Sequence, residues 1–366
     1  MTDITCGFIG LGLIGGSIAK ALKENIPNTT IVAYDVNFDT LQAASREQVA
    51  DIVTSSIDES FRACDYIFLC APVQKNDANL AAVKKVISPD CLLTDVGSVK
   101  TSIHKAITEA GLEKQFIGGH PMAGSERVGY LHSKAMLLQN AYYILTPTEY
   151  VSSQKLAAYQ ELVQKIGALP LVLSCEQHDY VTAAVSHLPH VIAASLVNLV
   201  RDSDSADGIM KMIAAGGFKD ITRIASSSAV MWQQICLTNT DNIASLLGAY
   251  ITSLQNILTN LEGHNDTALY DLFDSARIYR DSFIDASSGP IKCSYSITID
   301  ITDEPGALAA IATILALHQI SIKNIGIVHN REYEGGVLRI EFYEEAAIEQ
   351  AKTVLAGKGY TIYERT

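Results

Sequence analysis

Two rhythms of apolar and polar positions follow one another along the chain, and a third begins near its C-terminal end. Up to about Leu173, apolar runs of strand length alternate with amphipathic runs of helical period. The strand candidates cover residues 5–9, 30–34, 66–70, 92–94, 115–117, 141–145 and 169–173, with helical patterns between most of them. That alternation predicts a largely parallel, doubly wound α/β sheet. From residue 175 to about 285 the strand pattern stops, and helical periodicities cover 176–200, 241–261 and 267–285. Residues 191–200 are apolar most of the way round a helix. Such a helix has to be covered on all sides, and a second copy of the helical domain would cover it, so the pattern predicts a homodimer. Ser287-Ser288-Gly289-Pro290 reads as a linker. Beyond it lie a strand at 294–301, a helix at 306–318, strands at 320–329 and 337–343, a helix at 346–357 and a strand at 361–364. The order βαββαβ is the ferredoxin-like pattern. The expected organisation is an α/β domain over residues 1–174, an all-α domain over 175–287 and a small α+β domain over 293–366.

Composition narrows the partners. A net charge of −13 argues against nucleic acid and against an anionic membrane surface. An anionic small ligand remains possible wherever a helix N-terminus or a buried Arg supplies local positive charge. Seven cysteines are scattered without a C-x-x-C pair, and several sit inside apolar runs. They read as reduced core thiols of a cytoplasmic chain, with no metal site. The first strand begins almost at once, with no basic and apolar leader before it. The most apolar stretch, 181–200, contains His187, Pro189, His190 and Asn198, so a buried helix fits it better than a membrane span.

Gly10-Leu11-Gly12-Leu13-Ile14-Gly15 follows the first strand and opens a helix. Gly10 permits the tight turn, Gly12 admits a pyrophosphate to the backbone, and Gly15 lets helix and strand pack closely. The helix start, with Leu13 and Ile14, then offers N–H groups and a positive dipole end to the phosphates. Asp35 ends the second strand 20 residues after Gly15, where a carboxylate accepts from the ribose hydroxyls. It repels a 2′-phosphate, and Val36-Asn37-Phe38 supplies no Arg, so the pattern favours NAD over NADP in a Rossmann-type domain.

Two segments end strands in the second half of this domain: Asp95-Val-Gly-Ser98-Val-Lys100 and Gly118-Gly-His120-Pro-Met-Ala-Gly-Ser-Glu126. Open α/β sheets bind ligands at such carboxyl ends. His120 in a Gly/Pro-rich loop suits a general base, and the alternative is a loop His that caps backbone. In Ser186-His187-Leu-Pro-His190 the two His share a helix face, but Pro189 and the lack of a third ligand speak against a metal. Polar groups lining a cleft, or buried and hydrogen-bonded His, are the better readings. Asp220 and Arg223 lie three apart in a polar island, where a buried Arg suits a substrate carboxylate and a structural Asp–Arg pair is the alternative.

Over essentially its whole length the chain resembles the prephenate dehydrogenases. The matching pieces are the glycine motif through Ser17, Asp95–Lys100, Gly118–Glu126, Ser186–His190 and Gly217–Arg223 followed by Trp232, in that order. The tail resembles an ACT domain, with Asp303-Glu-Pro-Gly-Ala-Leu308 as its first turn. The resemblance implies NAD-dependent oxidative decarboxylation of prephenate to 4-hydroxyphenylpyruvate in tyrosine biosynthesis. It implies that His120 takes the proton of the C4 hydroxyl and that Ser98 orients His120 or that hydroxyl. Arg223 then holds a substrate carboxylate, His187 and His190 line the pocket, and Glu126 and Asp220 tune Arg223. At the ACT domain, Glu304, Pro305, Gly306, Ala307 and Asn324 are expected to bind an amino-acid effector, with tyrosine the candidate, and the alternative is a domain that only supports dimerisation. The competing readings are an arogenate dehydrogenase, another hydroxy-acid dehydrogenase with a helical-domain Lys as base, and a non-catalytic sensor of NAD and amino acid.

Overall fold

The computed structural model describes residues 3–71, 76–124, 127–286, 295–301, 304, 306–328, 336–342 and 344–363. They form two compact units, Met1–Gln255 and Asn256–Thr366. The first unit opens with β1 (Ile4–Ile9), α1 (Leu13–Asn25), β2 (Thr29–Tyr34), α2 (Phe38–Arg46) and β3 (Ile52–Thr54). Then come β4 (Tyr66–Leu69), α3 (Asn76–Val86), β5 (Leu92–Asp95) and α4 (Thr101–Ala110). These five strands make a parallel sheet in the order β3-β2-β1-β4-β5. Neighbouring residues of a strand face opposite sides. Phe8 stacks on Phe68 at 4.8 Å in one core, while Ile9, Ile67 and Leu93 belong to a second core on the other face. A strand buried on both faces reads as a continuous apolar run, which is why β1 and β4 stand out in the sequence. The strand order reverses between β1 and β4, and the crevice beyond their carboxyl ends is where such sheets bind ligands.

The parallel alignment has one exception. β6 (Ile117–Pro121) and β7 (Tyr142–Pro147) are antiparallel, while β7 and β8 (Leu169–Val172) are parallel. Among its described residues the segment between β6 and β7 carries short 3₁₀ turns, Tyr130–His132 and Ala135–Leu138, and no α-helix to return the chain for a parallel strand. α5 (Ser153–Lys165) supplies that crossover between β7 and β8. A parallel bridge from Leu93 to Phe116 continues the alignment from β5 towards β6.

The helical part runs through α6 (Cys175–Thr182), a π turn (Ala183–His187), α7 (Leu188–Ser203), α8 (Ile209–Ile213), α9 (Gly216–Thr222) and α10 (Ala229–Thr238). α11 (Thr240–Glu262) crosses into the second unit. Pro189 has no N–H and its ring crowds the carbonyl four residues back, and the turn ahead of it widens to the π form. Cys175–Ser203 is the helix among the described residues that is long and apolar enough to cross a membrane. Yet α7 fully buries only Ala193 within its own chain, and Leu199 is 62% exposed. Val185, Met212, Ile213, Ile221, Val230 and Leu237 are exposed as well. The all-round burial expected of this helix is therefore not supplied by one chain.

The second unit contains α12 (Asp266–Ala286), β9 (Tyr295–Ile301), α13 (Ala307–Leu317), β10 (Ile322–Val328), β11 (Gly336–Phe342), α14 (Glu345–Ala356) and β12 (Ile362–Tyr363). Its sheet is antiparallel in the order β10-β11-β9-β12, the order a βαββαβ chain gives when its strands interleave. The linker expected at 287–290 lies outside the described residues.

Candidate active site

At the crevice, the residues after β1 form a cradle. Gly10 has φ +98°, and a Cβ there would stand 2.8 Å from the backbone N of Ala71, so only glycine fits the turn. Gly12 faces open space, which leaves its backbone approachable. It precedes α1, whose first turn contains no acidic residue. Asp35 is half-buried at the end of β2, where its carboxylate accepts from the Leu11 N–H at 2.7 Å and from the Asn37 N–H at 2.8 Å. It thus ties the glycine turn to β2 and holds a carboxylate at the place a ribose would reach. These residues fit a dinucleotide: an open phosphate-facing backbone, a helix dipole and a ribose acceptor. Val36 and Phe38 beside Asp35 are exposed and uncharged, so neither answers a 2′-phosphate.

His120 lies in β6 rather than in a loop. The strand extends that far because Gly119 lets it press against β5. A Cβ on Gly119 would stand 2.6 Å from the Asp95 carbonyl oxygen and 2.9 Å from the Tyr143 ring. Gly119 donates its N–H to Asp95 Oδ1 at 3.1 Å, and its carbonyl accepts from Lys100 Nζ at 2.7 Å. Lys100 is fully buried and paired with Asp95, so a closed ion pair fixes the backbone next to His120.

A relay of three side chains then sets the state of His120. The Asp179 carboxylate accepts from the backbone N–H of Lys100 and of Thr101, at 2.7 and 2.8 Å, and so caps α4 from α6. Burial opposes its ionisation, but the His178 bond and these N–H bonds outweigh burial and hold it below the usual carboxylate range. His178 Nδ1 meets Asp179 Oδ1 at 2.7 Å, so that nitrogen carries the proton. His178 Nε2 is then an acceptor and meets His120 Nδ1 at 2.7 Å. His120 therefore donates from Nδ1 and keeps a lone pair on Nε2. Burial, followed by the nearby His178 and the Lys100 cation, holds its pKa well below the ordinary histidine value. His120 is neutral near neutrality and presents Nε2 as a proton acceptor.

Sequence reasoning missed His178 and Asp179. It assigned the orienting bond to Ser98, and among the described residues no hydrogen bond joins Ser98 to His120. Ser98 is half-buried, beyond β5 and two residues before Lys100. On the other side, His190 stacks on Trp232 at 3.6 Å, and His187 meets the same indole edge-on at 6.0 Å. The i, i+3 pair thus shares one face, as expected. Burial lowers the pKa of His190, and the Arg223 cation lowers it further. Arg223 opens a 3₁₀ turn after α9 and is exposed within one chain rather than buried, because α9 ends at Thr222 and carries it outward. Asp220 is exposed on α9, and Glu126 lies outside the described residues. No group of three or more His, Cys, Asp or Glu among the described residues is arranged to hold a metal.

The family model for the prephenate dehydrogenase nucleotide-binding domain matches residues 18–171, and that for the prephenate dehydrogenase dimerization domain matches 174–275. The prephenate dehydrogenase of Bacillus subtilis (strain 168) is 38% identical, covering 92% of this chain and 91% of its own length. That of Lactococcus lactis subsp. cremoris is 31% identical, covering 95% and 96%. The crystal structure of prephenate dehydrogenase from A. aeolicus, in complex with hydroxyphenyl propionate and NAD+, superposes with a TM-score of 0.73 at 30% identity. It covers 77% of this chain and 99% of that one.

Proposed function

The chain belongs to the prephenate dehydrogenase family, and from that premise we propose that it carries out the NAD-dependent oxidative decarboxylation of prephenate to 4-hydroxyphenylpyruvate. The observation that carries the residue-level reading is the Asp179–His178–His120 relay, which joins the start of α6 to β6. Bound NAD+ supplies the hydride acceptor. His120 Nε2 takes the proton of the C4 hydroxyl as the hydride departs, and the resulting imidazolium is held by His178 and Asp179. Loss of the ring carboxylate as CO2 sends its electron pair into the ring and yields a phenolate, which takes the proton back from His120. The chain thus needs to orient the ring, keep water away and hold one proton. Arg223, beside His190, supplies the cation for a substrate carboxylate. Asp35 supports NAD over NADP.

The exposed apolar residues of α7 to α11 lie within the matched dimerization domain and support a homodimer in solution. Sedimentation of the purified chain at micromolar concentration is expected to give twice the 39.5 kDa chain mass. A monomer there overturns the assignment. The free thiols of the six described cysteines support a reducing, cytoplasmic setting.

The C-terminal βαββαβ unit supports an ACT-type sensor. A cavity of about 470 Å³ lies among Asp300, Glu304, Gly306, Ala307, Tyr360 and Thr361. Three of the expected effector residues, Glu304, Gly306 and Ala307, line it. Asn324 sits instead on β10, an edge strand, and Pro305 lies outside the described residues. The assay that tests both readings follows NADH at 340 nm with prephenate, with arogenate and NADP+ in parallel, and with about 1 mM tyrosine added. Turnover with prephenate and NAD+ and its inhibition by tyrosine are expected. Silence with both substrates overturns the reaction in favour of a sensor, and indifference to tyrosine overturns that effector.

A further inference from the structure

Asn239 joins α10 to α11 and is 4% exposed. Its Oδ1 accepts from Asn242 Nδ2 at 2.8 Å, which fixes the orientation of its amide. Nδ2 then has two hydrogens to place. One goes to the Asp179 carbonyl oxygen at 2.8 Å, and the other to His187 Nδ1 at 3.2 Å. A ring nitrogen that meets an N–H donor is an acceptor, so the proton of the neutral His187 ring is on Nε2. Burial pushes the His187 pKa down to about 4, so the ring stays neutral at physiological pH. Among the described residues no hydrogen bond engages Nε2. His187 is 1% exposed, lies edge-on to Trp232, and is close enough to influence the charge state of His120.

The two imidazoles therefore have opposite tautomers. His120 offers a lone pair, and His187 offers an N–H. We propose that His187 is a neutral N–H donor to the substrate carboxylate that leaves, and that Asn239 is the positioning residue that fixes it in that form. The proposal rests on the prephenate reading above. Its chemical reason is the direction of charge flow. A cation on the leaving carboxylate would stabilise it more than the transition state, in which its charge moves into the ring, and would raise the barrier. A neutral donor orients the same oxygen at a smaller cost.

The test uses the full-length chain with 15N-labelled histidine. In long-range 1H–15N spectra, the His187 signals, identified by their loss in His187→Gln, are expected to show Nδ1 bare and Nε2 protonated. Asn239→Asp places an acceptor against Nδ1 and is expected to reverse that pattern. It is also expected to raise the KM for prephenate about tenfold to a hundredfold, the loss of a hydrogen bond to a charged oxygen, while the KM for NAD+ stays within about twofold. His187→Leu is expected to match it, and His187→Gln, whose amide still donates, to recover most of the loss. A protonated Nδ1 in the wild-type chain, or a prephenate KM unmoved in both Asn239→Asp and His187→Leu, overturns the donor role alone. A wild-type chain inert towards prephenate overturns the reaction reading and the donor role with it.

Discussion

Replacing His120 by Asn is expected to lower kcat about 10³-fold, within the range by which a positioned general base accelerates proton transfer. The substitution is chosen to remove chemistry and leave geometry. The Asn side chain can still donate an N–H to His178 Nε2, in place of the Nδ1–H that makes the 2.7 Å bond. It cannot accept a proton at neutral pH. The KM for prephenate is expected to move less than about threefold, because the contact with the hydroxyl gains its strength only as the proton transfers. Steady-state NADH formation gives both constants, and a thermal melt controls for folding. A variant that turns over within tenfold of the wild type means that another group takes the proton.

How much of this was legible in the sequence depends on how local each signal was. β1, the glycine turn and Asp35 were read because each depends on a short stretch: a run buried on both faces, a turn only Gly can make, a carboxylate at a strand end. β3 was missed. It is a three-residue edge strand whose Ile52 and Val53 are over 40% exposed, so it has neither length nor an apolar run. His178 and Asp179 were missed for a different reason. They sit in the first turns of α6, in the polar stretch Cys175-Glu-Gln-His-Asp179, and look like a solvated helix start. Both are buried, because Asp179 caps α4 at a sequence distance of 79 residues. The one available signal was that a helix of otherwise apolar character opens with an adjacent His and Asp. Lys100 shows the same limit. Its motif was recognised, but its full burial against Asp95 follows only from the packing of β5 on β6. Arg223 erred in the other direction, since an island between apolar helices implied a buried site and the turn that carries it points outward.

Asp179→Asn tests whether the relay matters beyond holding α4. Its carboxylate is the far end of the chain of hydrogen bonds, and among the described residues no other anion is bonded to His178. As His120 takes a proton, positive charge appears at one end and Asp179 compensates it at the other. With the amide, the compensation is lost, and kcat is expected to fall about 10²-fold, a share of the barrier typical of one preorganised electrostatic contact. The pH profile distinguishes this from a structural effect. Burial, and then the neighbouring His178 and Lys100, keep His120 unprotonated, while Asp179 pulls its pKa upward. Activity requires the unprotonated form, so kcat/KM of the wild type is expected to stay flat from pH 8 through 6.5 and to fall only in more acidic solution. Removing the negative charge lowers the His120 pKa further, and the acid limb has to move to lower pH even as the plateau drops. The fold also loses part of the cap on α4, because an amide nitrogen now opposes a backbone N–H. A stability loss of about 1–3 kcal/mol is expected for that unsatisfied buried donor. A variant that is destabilised but keeps both its plateau and its acid limb would leave Asp179 a helix cap and nothing more, and the orientation of His120 would then rest on the Lys100–Gly119 clamp alone.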